Sequence, residues 1–381
     1  MFIDVNVRGN TQRLLVLAFA VVLVALGIDV GYRNDNIAVD FHTYLAAGEV
    51  GIQQGWSHIY DQAMVAVDQK QLAPTQVAQP FLSPPMVAYV MAPLGLLPYD
   101  VAYVVWAVGL LVVFAAALAW AGVSTGWSKW IAIVGALSPW WVMHAVNVGQ
   151  IVPIQAAACV VAWRLVRDRR DVLAGAALSA ILFKPNNSIL VPFALLFAAR
   201  FRLFATWAAI LVGVLLLVLW TVGLGGMSDY VTQLSGPLPR GSDYLTLRGA
   251  LSATGALAAA LRILIIASVL AAGHRLRGSP GLVIPVALIG SLLVAPYLHP
   301  ADFCMLTAAG FIAWEELRTP AWRAPIALTW VLASPYLYDP GWSLHSRQWP
   351  WVEIALLAIL LLAAWWPSLT AGVTSGRRSL A

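Results

Sequence analysis

The chain has 381 residues, 61% of them hydrophobic and only 10% charged, with a formal net charge of +5 and a mean hydropathy of +0.81. A soluble domain carries about 25% charged residues, so the composition excludes a soluble globular protein and makes the bilayer the chain's solvent. The basic balance does not call for nucleic acid, because the arginines and lysines fall in short loops, where the positive-inside rule accounts for them.

A spanning helix needs about 20 apolar residues, with shorter ones tolerated. By that measure the sequence predicts an all-α polytopic membrane protein, a single domain over 1–381, with about twelve spans. They lie near 13–31, 99–122, 129–146, 149–166, 172–184, 187–200, 203–224, 255–273, 281–297, 301–314, 324–337 and 351–367. The first follows Arg8 and Arg13, shows no small-residue cleavage site, and reads as an uncleaved helix.

Residues 32–98 form a long first extracytoplasmic loop with interfacial or re-entrant helices. One helix-like piece starts near Asp40 and a second is "IYDQAMVAVDQKQL" (59–72). The third, "PPMVAYVMAPLGLL" (84–97), is apolar but short, and Pro84, Pro85 and Pro98 bracket it. Charge supports leaving it out of the spans. If it does not cross, Arg8, Arg13, the "RDRRD" loop (167–171) and most other basic residues share one side. The other side receives Arg33, Lys70, Lys184, Arg240, Arg248 and Arg347. That asymmetry predicts two cytoplasmic termini. Arg262 falls inside a span and needs a partner or a water-filled cavity there.

With this topology the unusual polar residues collect on the outer face. Asp40 suits two roles. It can N-cap an interfacial helix that starts at Phe41, or accept a proton from a substrate hydroxyl as a general base. Tyr44 lies one helical turn on, on the same face. Lys184 ends an apolar helix just before Pro185. An edge lysine either snorkels to headgroups or binds a phosphate as a point charge. Asn186 and Asn187 suit a turn and can also offer amides. Arg248, in "DYLTLRG" (243–249), can grip a phosphate or pair with Asp243. "PYLHPAD" (296–302) gathers Tyr297, His299 and Asp302 at a helix junction. His299 can orient a phosphate or shuttle a proton, and Asp302 can cap the next helix. Gln150, in "NVGQ" (147–150), can hydrogen-bond a sugar hydroxyl. Cys159 and Cys304 read as small buried hydrophobes. No Cys/His spacing suggests a metal site, and no phosphate-binding loop or dinucleotide fingerprint occurs.

In order, "DFHTY" (40–44), "YD" (60–61), "SPP" (83–85), "PLGLLP" (93–98), "NVGQ" (147–150), "FKPN" (183–186) and "PYLHPAD" (296–302) resemble the motifs of glycosyltransferase family 87. That family lies in the glycosyltransferase-C superfamily and includes polyprenyl-phosphate-mannose-dependent α-mannosyltransferases. The resemblance implies a glycosyltransferase-C-like fold in the bacterial cytoplasmic membrane. It implies an inverting transfer of a sugar, mannose first, from a polyprenyl-phosphate donor to an extracytoplasmic glycolipid or glycan. No cofactor and no obligatory metal are implied. Asp40 matches the family's base. Lys184 and His299, with Arg248, would hold the donor phosphate. Tyr44, Gln150, Asn186, Tyr297 and Asp302 would line the sugar and acceptor site. The commoner late motif places "SPH" before the acidic residue. Here "APYLHPAD" leaves open whether Tyr297 or His299 fills that place. A transporter or flippase for a polyprenyl-linked lipid is the alternative. It predicts charge near the midplane, whereas the polar residues here favour one face.

Overall fold

A computed structural model of the chain describes Val21, Ala25 and residues 37–236, 245–251, 255–337 and 350–366. Every regular element among the described residues is helical. Apart from Val21 and Ala25, the span expected at 13–31 lies outside them, as do Arg240 and most of the loop 338–350.

The first described elements are α1 (Val39–Gln53), α2 (Gln62–Leu72) and α3 (Pro85–Met91), the last continued by a 3-10 turn over Ala92–Leu96. Asp61 caps α2, its Oδ1 accepting the N–H groups of Ala63 and Met64 as an N-cap carboxylate does. The helix therefore starts later than the 59–72 pattern suggests. Phe41, Leu45, Tyr60, Phe81, Val87 and Met91 knit these pieces into one apolar cluster. That cluster rests on Trp106 and Leu110 of α4 (Tyr99–Ala121) and on Val218 of α10 (Phe201–Thr221).

The larger core belongs to the helical bundle. Here α4 packs on α7 (Val152–Arg167), which in turn contacts α8 (Asp171–Leu178) and α15 (Cys304–Glu316). A second group joins α9 (Leu190–Phe197), α13 (Gly255–Arg275), α14 (Val283–Val294) and α17 (Trp351–Trp365). α16 (Pro320–Leu337) packs on α17 and α15. In lipid, association comes from close packing rather than from exclusion of water. Gly273 illustrates it: a Cβ there would stand 2.4 Å from the Ala194 carbonyl oxygen.

Among the described residues, three helices are long and apolar enough to cross a membrane: Tyr99–Ala121, Phe201–Thr221 and Gly255–Arg275. The continuous helix expected over 129–146 is broken. α5 (Gly126–Leu137) and α6 (Trp140–Val148) meet at 55°. Pro139 explains the break, since it lacks an N–H and disfavours helix at the residue before it. The stretches 172–184 and 187–200 are not full helices either. α8 and α9 have eight residues each, separated by 3-10 turns at Ser179–Phe183 and Pro185–Asn187. Arg262, on α13, donates from Nη2 to the Ala295 carbonyl at 3.2 Å, so the half-buried arginine closes the C-terminal end of α14. Cys159 and Cys304 are buried free thiols, as expected.

Candidate active site

Asp40 is fixed by the turn that ends α6. Gly149 follows α6 with φ +77°, a left-handed conformation that glycine reaches without steric penalty. A Cβ there would stand 2.5 Å from Phe41 Cβ and 3.1 Å from its Cα. The missing side chain thus lets α1 lie directly on the turn. Three hydrogen bonds close the contact. Ala38 N–H and the Tyr103 hydroxyl donate to the Asn147 carbonyl at 2.8 and 2.7 Å, and the Trp106 indole donates to the Gly149 carbonyl at 2.8 Å.

The next residue reaches the carboxylate. Gln150 Nε2 donates to Asp40 Oδ2 at 3.0 Å. Its Oε1 accepts from the Tyr44 hydroxyl and, at 3.1 Å, from Ile151 N–H. Two donors hold the amide oxygen, so the NH₂ must face Asp40. The capping role expected for Asp40 does not hold. α1 starts at Val39, Ala38 occupies the cap position in the left-handed region, and Asp40 stands in the first turn. The helix entry is set by the Asn147 contact, so the carboxylate is left to Gln150.

A second polar group faces it from α7, the 183–188 turn and the 296–303 junction. Lys184 sits between the two 3-10 turns in an extended conformation. Its Nζ lies 2.7 Å from Asp302 Oδ1. The contact is one of charge, because Nζ makes no aligned hydrogen bond, and Nζ itself is sealed from solvent. Asp302 is fully buried. Its Oδ1 also accepts from Asn187 Nδ2 at 3.0 Å, and its Oδ2 from His299 N–H at 2.8 Å. Asp302 was expected to cap the helix after it. It instead serves the backbone that enters its own 3-10 turn, Pro300–Phe303, and pairs with Lys184. Gln155 of α7 donates to the carbonyls of Ile181 and Lys184, both at 3.0 Å, and Asn186 Nδ2 to the Tyr297 carbonyl at 3.2 Å. The "KPNN" turn is thereby tied on one side to α7 and on the other to "PYLHPAD".

The two groups share one electrostatic neighbourhood. Burial raises the Asp40 carboxyl above its ordinary value, against the pull of Lys184, His299 and His144 and with a push from Asp302. Burial and then the Lys184 charge lower the His299 imidazole, against Asp302 and Asp40. The Tyr44 phenol is held well above its ordinary range by burial and then by the Asp40 charge, so it serves as a neutral donor. Asp40 is only partly buried and His299 is exposed, although protein surrounds both. The carboxylate and the imidazole each feel the other's charge, and both feel the Lys184–Asp302 pair.

Reading the sequence missed His144 and Gln155. His144 stands on α6, half-buried, with its ring 5.7 Å from Trp140. It lies three residues before Asn147, and that helical spacing was the available signal. The backbone of Arg248 lies in α12 (Leu247–Ala250), and its side chain is outside the description. Among the described residues, no three His, Cys, Asp or Glu side chains gather into a metal-binding set.

The model of glycosyltransferase family 87 matches residues 81–335, more than half of the chain. The match takes in "NVGQ", "KPNN" and "PYLHPAD" and begins after Asp40. No curated protein and no solved structure matches the chain.

Proposed function

This chain belongs to glycosyltransferase family 87, and we propose that it transfers mannose from a polyprenyl phosphate to a hydroxyl of an extracytoplasmic glycolipid or glycan, with inversion. Membership indicates a membrane glycosyltransferase; the donor, sugar, acceptor and stereochemistry are the proposal. The topology that goes with it has about twelve spans, two cytoplasmic termini in a bacterial cytoplasmic membrane, and the site outside. The crowding of basic residues on the other side supports it.

The observation that supports the reading is a partly open carboxylate, held on one oxygen by Gln150, within the field of the Lys184 ammonium. In the transfer, Asp40 takes the proton of the acceptor hydroxyl. The acceptor oxygen attacks the anomeric carbon from the face opposite the phosphate. The bond from that carbon to the phosphate oxygen breaks, and the polyprenyl phosphate leaves with the electron pair. The proton remains on Asp40 until water takes it. Gln150 occupies Oδ2, which leaves Oδ1 for the incoming hydroxyl. No metal or cofactor enters the scheme.

His299, the exposed member, meets the phosphate first. Lys184 acts from behind it, where the low dielectric strengthens its field, and Arg248 is assigned to the same phosphate. Tyr44, Gln150 and Asp302 have their polar groups committed to other residues, so they position the site. Asn186, bonded to the Tyr297 carbonyl, positions the site with them, and Tyr297 is left to face the sugar. The test is sugar transfer in proteoliposomes, with purified protein, radiolabelled polyprenyl-phosphate-mannose and host lipid extract. Labelled glycolipid is expected. An untouched donor would overturn the mannose assignment.

A further inference from the structure

Tyr230 joins the aromatic packing beside the site from an element that none of the motifs includes. It stands on α11 (Gly223–Ser235). A Cβ on Gly226 would lie 2.8 Å from the Ser57 carbonyl oxygen, so α11 rests directly on the turn at Trp56–His58. Tyr230 is four residues further on and shares that face. Its ring stacks on Tyr60, with centroids 4.6 Å apart and planes at 28°. Tyr60 stacks in turn on Phe81, at 5.5 Å and 27°. Tyr60 and Phe81 are buried, so Tyr230 is the half-buried outer end of a three-ring column.

Its hydroxyl is uncommitted, as is that of Tyr99. Tyr44, Tyr60, Tyr89 and Tyr103 commit theirs to Gln150, the Ser83 carbonyl, Thr221 and the Asn147 carbonyl. The Tyr230 hydroxyl has no hydrogen-bond partner among the described residues. Burial raises this phenol, and the Tyr297 phenol adds to the effect. Tyr297 in turn lies within the field of Lys184 and Asp302. The inner end of the column touches the site: Phe81 packs edge-on against Tyr44, with centroids 6.4 Å apart, and Tyr44 holds Gln150 against Asp40.

We infer that Tyr230 is a sugar-binding residue: its hydroxyl bonds a saccharide hydroxyl, and its stacked ring fixes where that bond forms. A neutral phenol offers one donor and two lone pairs beside an apolar ring. That chemistry suits a polyol and gives no anchor for an anion. The phosphate already has the Lys184 cation and the His299 imidazole. The saccharide belongs to the donor glycosyl group or to the acceptor glycan. The inference rests on the glycosyltransferase reading for its place in catalysis, and its binding test does not.

Tyr230→Phe keeps the ring column and removes the hydroxyl; Tyr230→Ala removes both. Full-length protein in nanodiscs is titrated with the methyl glycosides of mannose, glucose and arabinose, with binding read by saturation transfer to the sugar protons. Loss of one hydrogen bond weakens binding about 5- to 10-fold. Tyr230→Phe is expected to show that loss with an unchanged melting temperature, and Tyr230→Ala at least as much. In transfer assays the same variant raises KM for donor or for acceptor, which identifies the sugar it holds, and leaves kcat nearly unchanged. Wild-type affinity in Tyr230→Phe for every glycoside, or no glycoside bound by the wild type, overturns the inference. Hydroxyl-dependent binding without transfer from any lipid-linked donor would sink the proposed reaction and leave the sugar site standing.

Discussion

Gln150 holds Asp40 in place: its Nε2 donates to Oδ2 over 3.0 Å while its own Oε1 is clamped by the Tyr44 hydroxyl. The geometry assigns the glutamine amide one orientation and the carboxylate one free oxygen. A hydrogen bond to a charged group contributes about 1.5–3 kcal/mol. Gln150→Leu keeps the size and removes the bond. It is expected to lower kcat by roughly 10- to 100-fold on that scale, with KM for the donor little changed, in steady-state kinetics. Tyr44→Phe should show a smaller fall in the same direction.

The pH profile follows from the Asp40 shift. The carboxyl is raised above its ordinary 3.8, mainly by burial, and the base works only when deprotonated. Activity should therefore fall on acidification through a pH above 3.8. Lys184, His299 and His144 hold that value down, and Asp302 pushes it up. Lys184→Met removes a positive charge, so the acid limb of its residual kcat/KM must move to higher pH. A limb that moves to lower pH would show that the titrating group is not Asp40.

The Lys184–Asp302 pair separates stability from catalysis. Removing one partner of a buried ion pair costs about 3–5 kcal/mol when the other charge is stranded. Asp302→Ala strands the sealed ammonium and also orphans Asn187 and His299 N–H. Lys184→Met leaves Asp302 with both of those donors. Asp302→Ala should therefore lower the melting temperature in detergent more than Lys184→Met does. The double variant should recover part of the loss.

Gly149 is the hinge of the carboxylate's placement. Gly149→Ala imposes a left-handed alanine, which costs about 1–3 kcal/mol, and drives its Cβ into Phe41. The start of α1 must retreat from the "NVGQ" turn, and Asp40 moves away from Gln150 with it. A lower melting temperature together with a fall in kcat is expected. Gly109→Ala, with nothing within 4 Å of its Cβ, is the control and should change neither.

Much of this site was legible because charge stands out in an apolar chain. Asp40, Lys184, His299 and Asp302 were recognisable as polar residues at the edges of hydrophobic runs, and the fold gathers them. The roles within the set were not legible. The start of α1 depends on a backbone bond from Ala38 to Asn147, a tertiary contact with no local signature, so Asp40 resembled a cap. Asp302 resembled one too, because Asn187 and Lys184, which share its Oδ1, lie over a hundred positions away. His144 and Tyr230 were passed over as ordinary members of their helices. The breaks near Pro139 and Lys184 were marked by prolines, but hydropathy is continuous across them and averages over a bend.

The central claim is that Asp40 takes the acceptor's proton. The direct measurement is single-turnover transfer by wild type and Asp40→Asn in the same proteoliposomes, with folding checked by melting temperature and donor binding by titration. A general base contributes about 10²- to 10⁴-fold. The account predicts a loss in that range for Asp40→Asn, with an intact fold and near-normal donor affinity. Transfer by Asp40→Asn at the wild-type rate would contradict it.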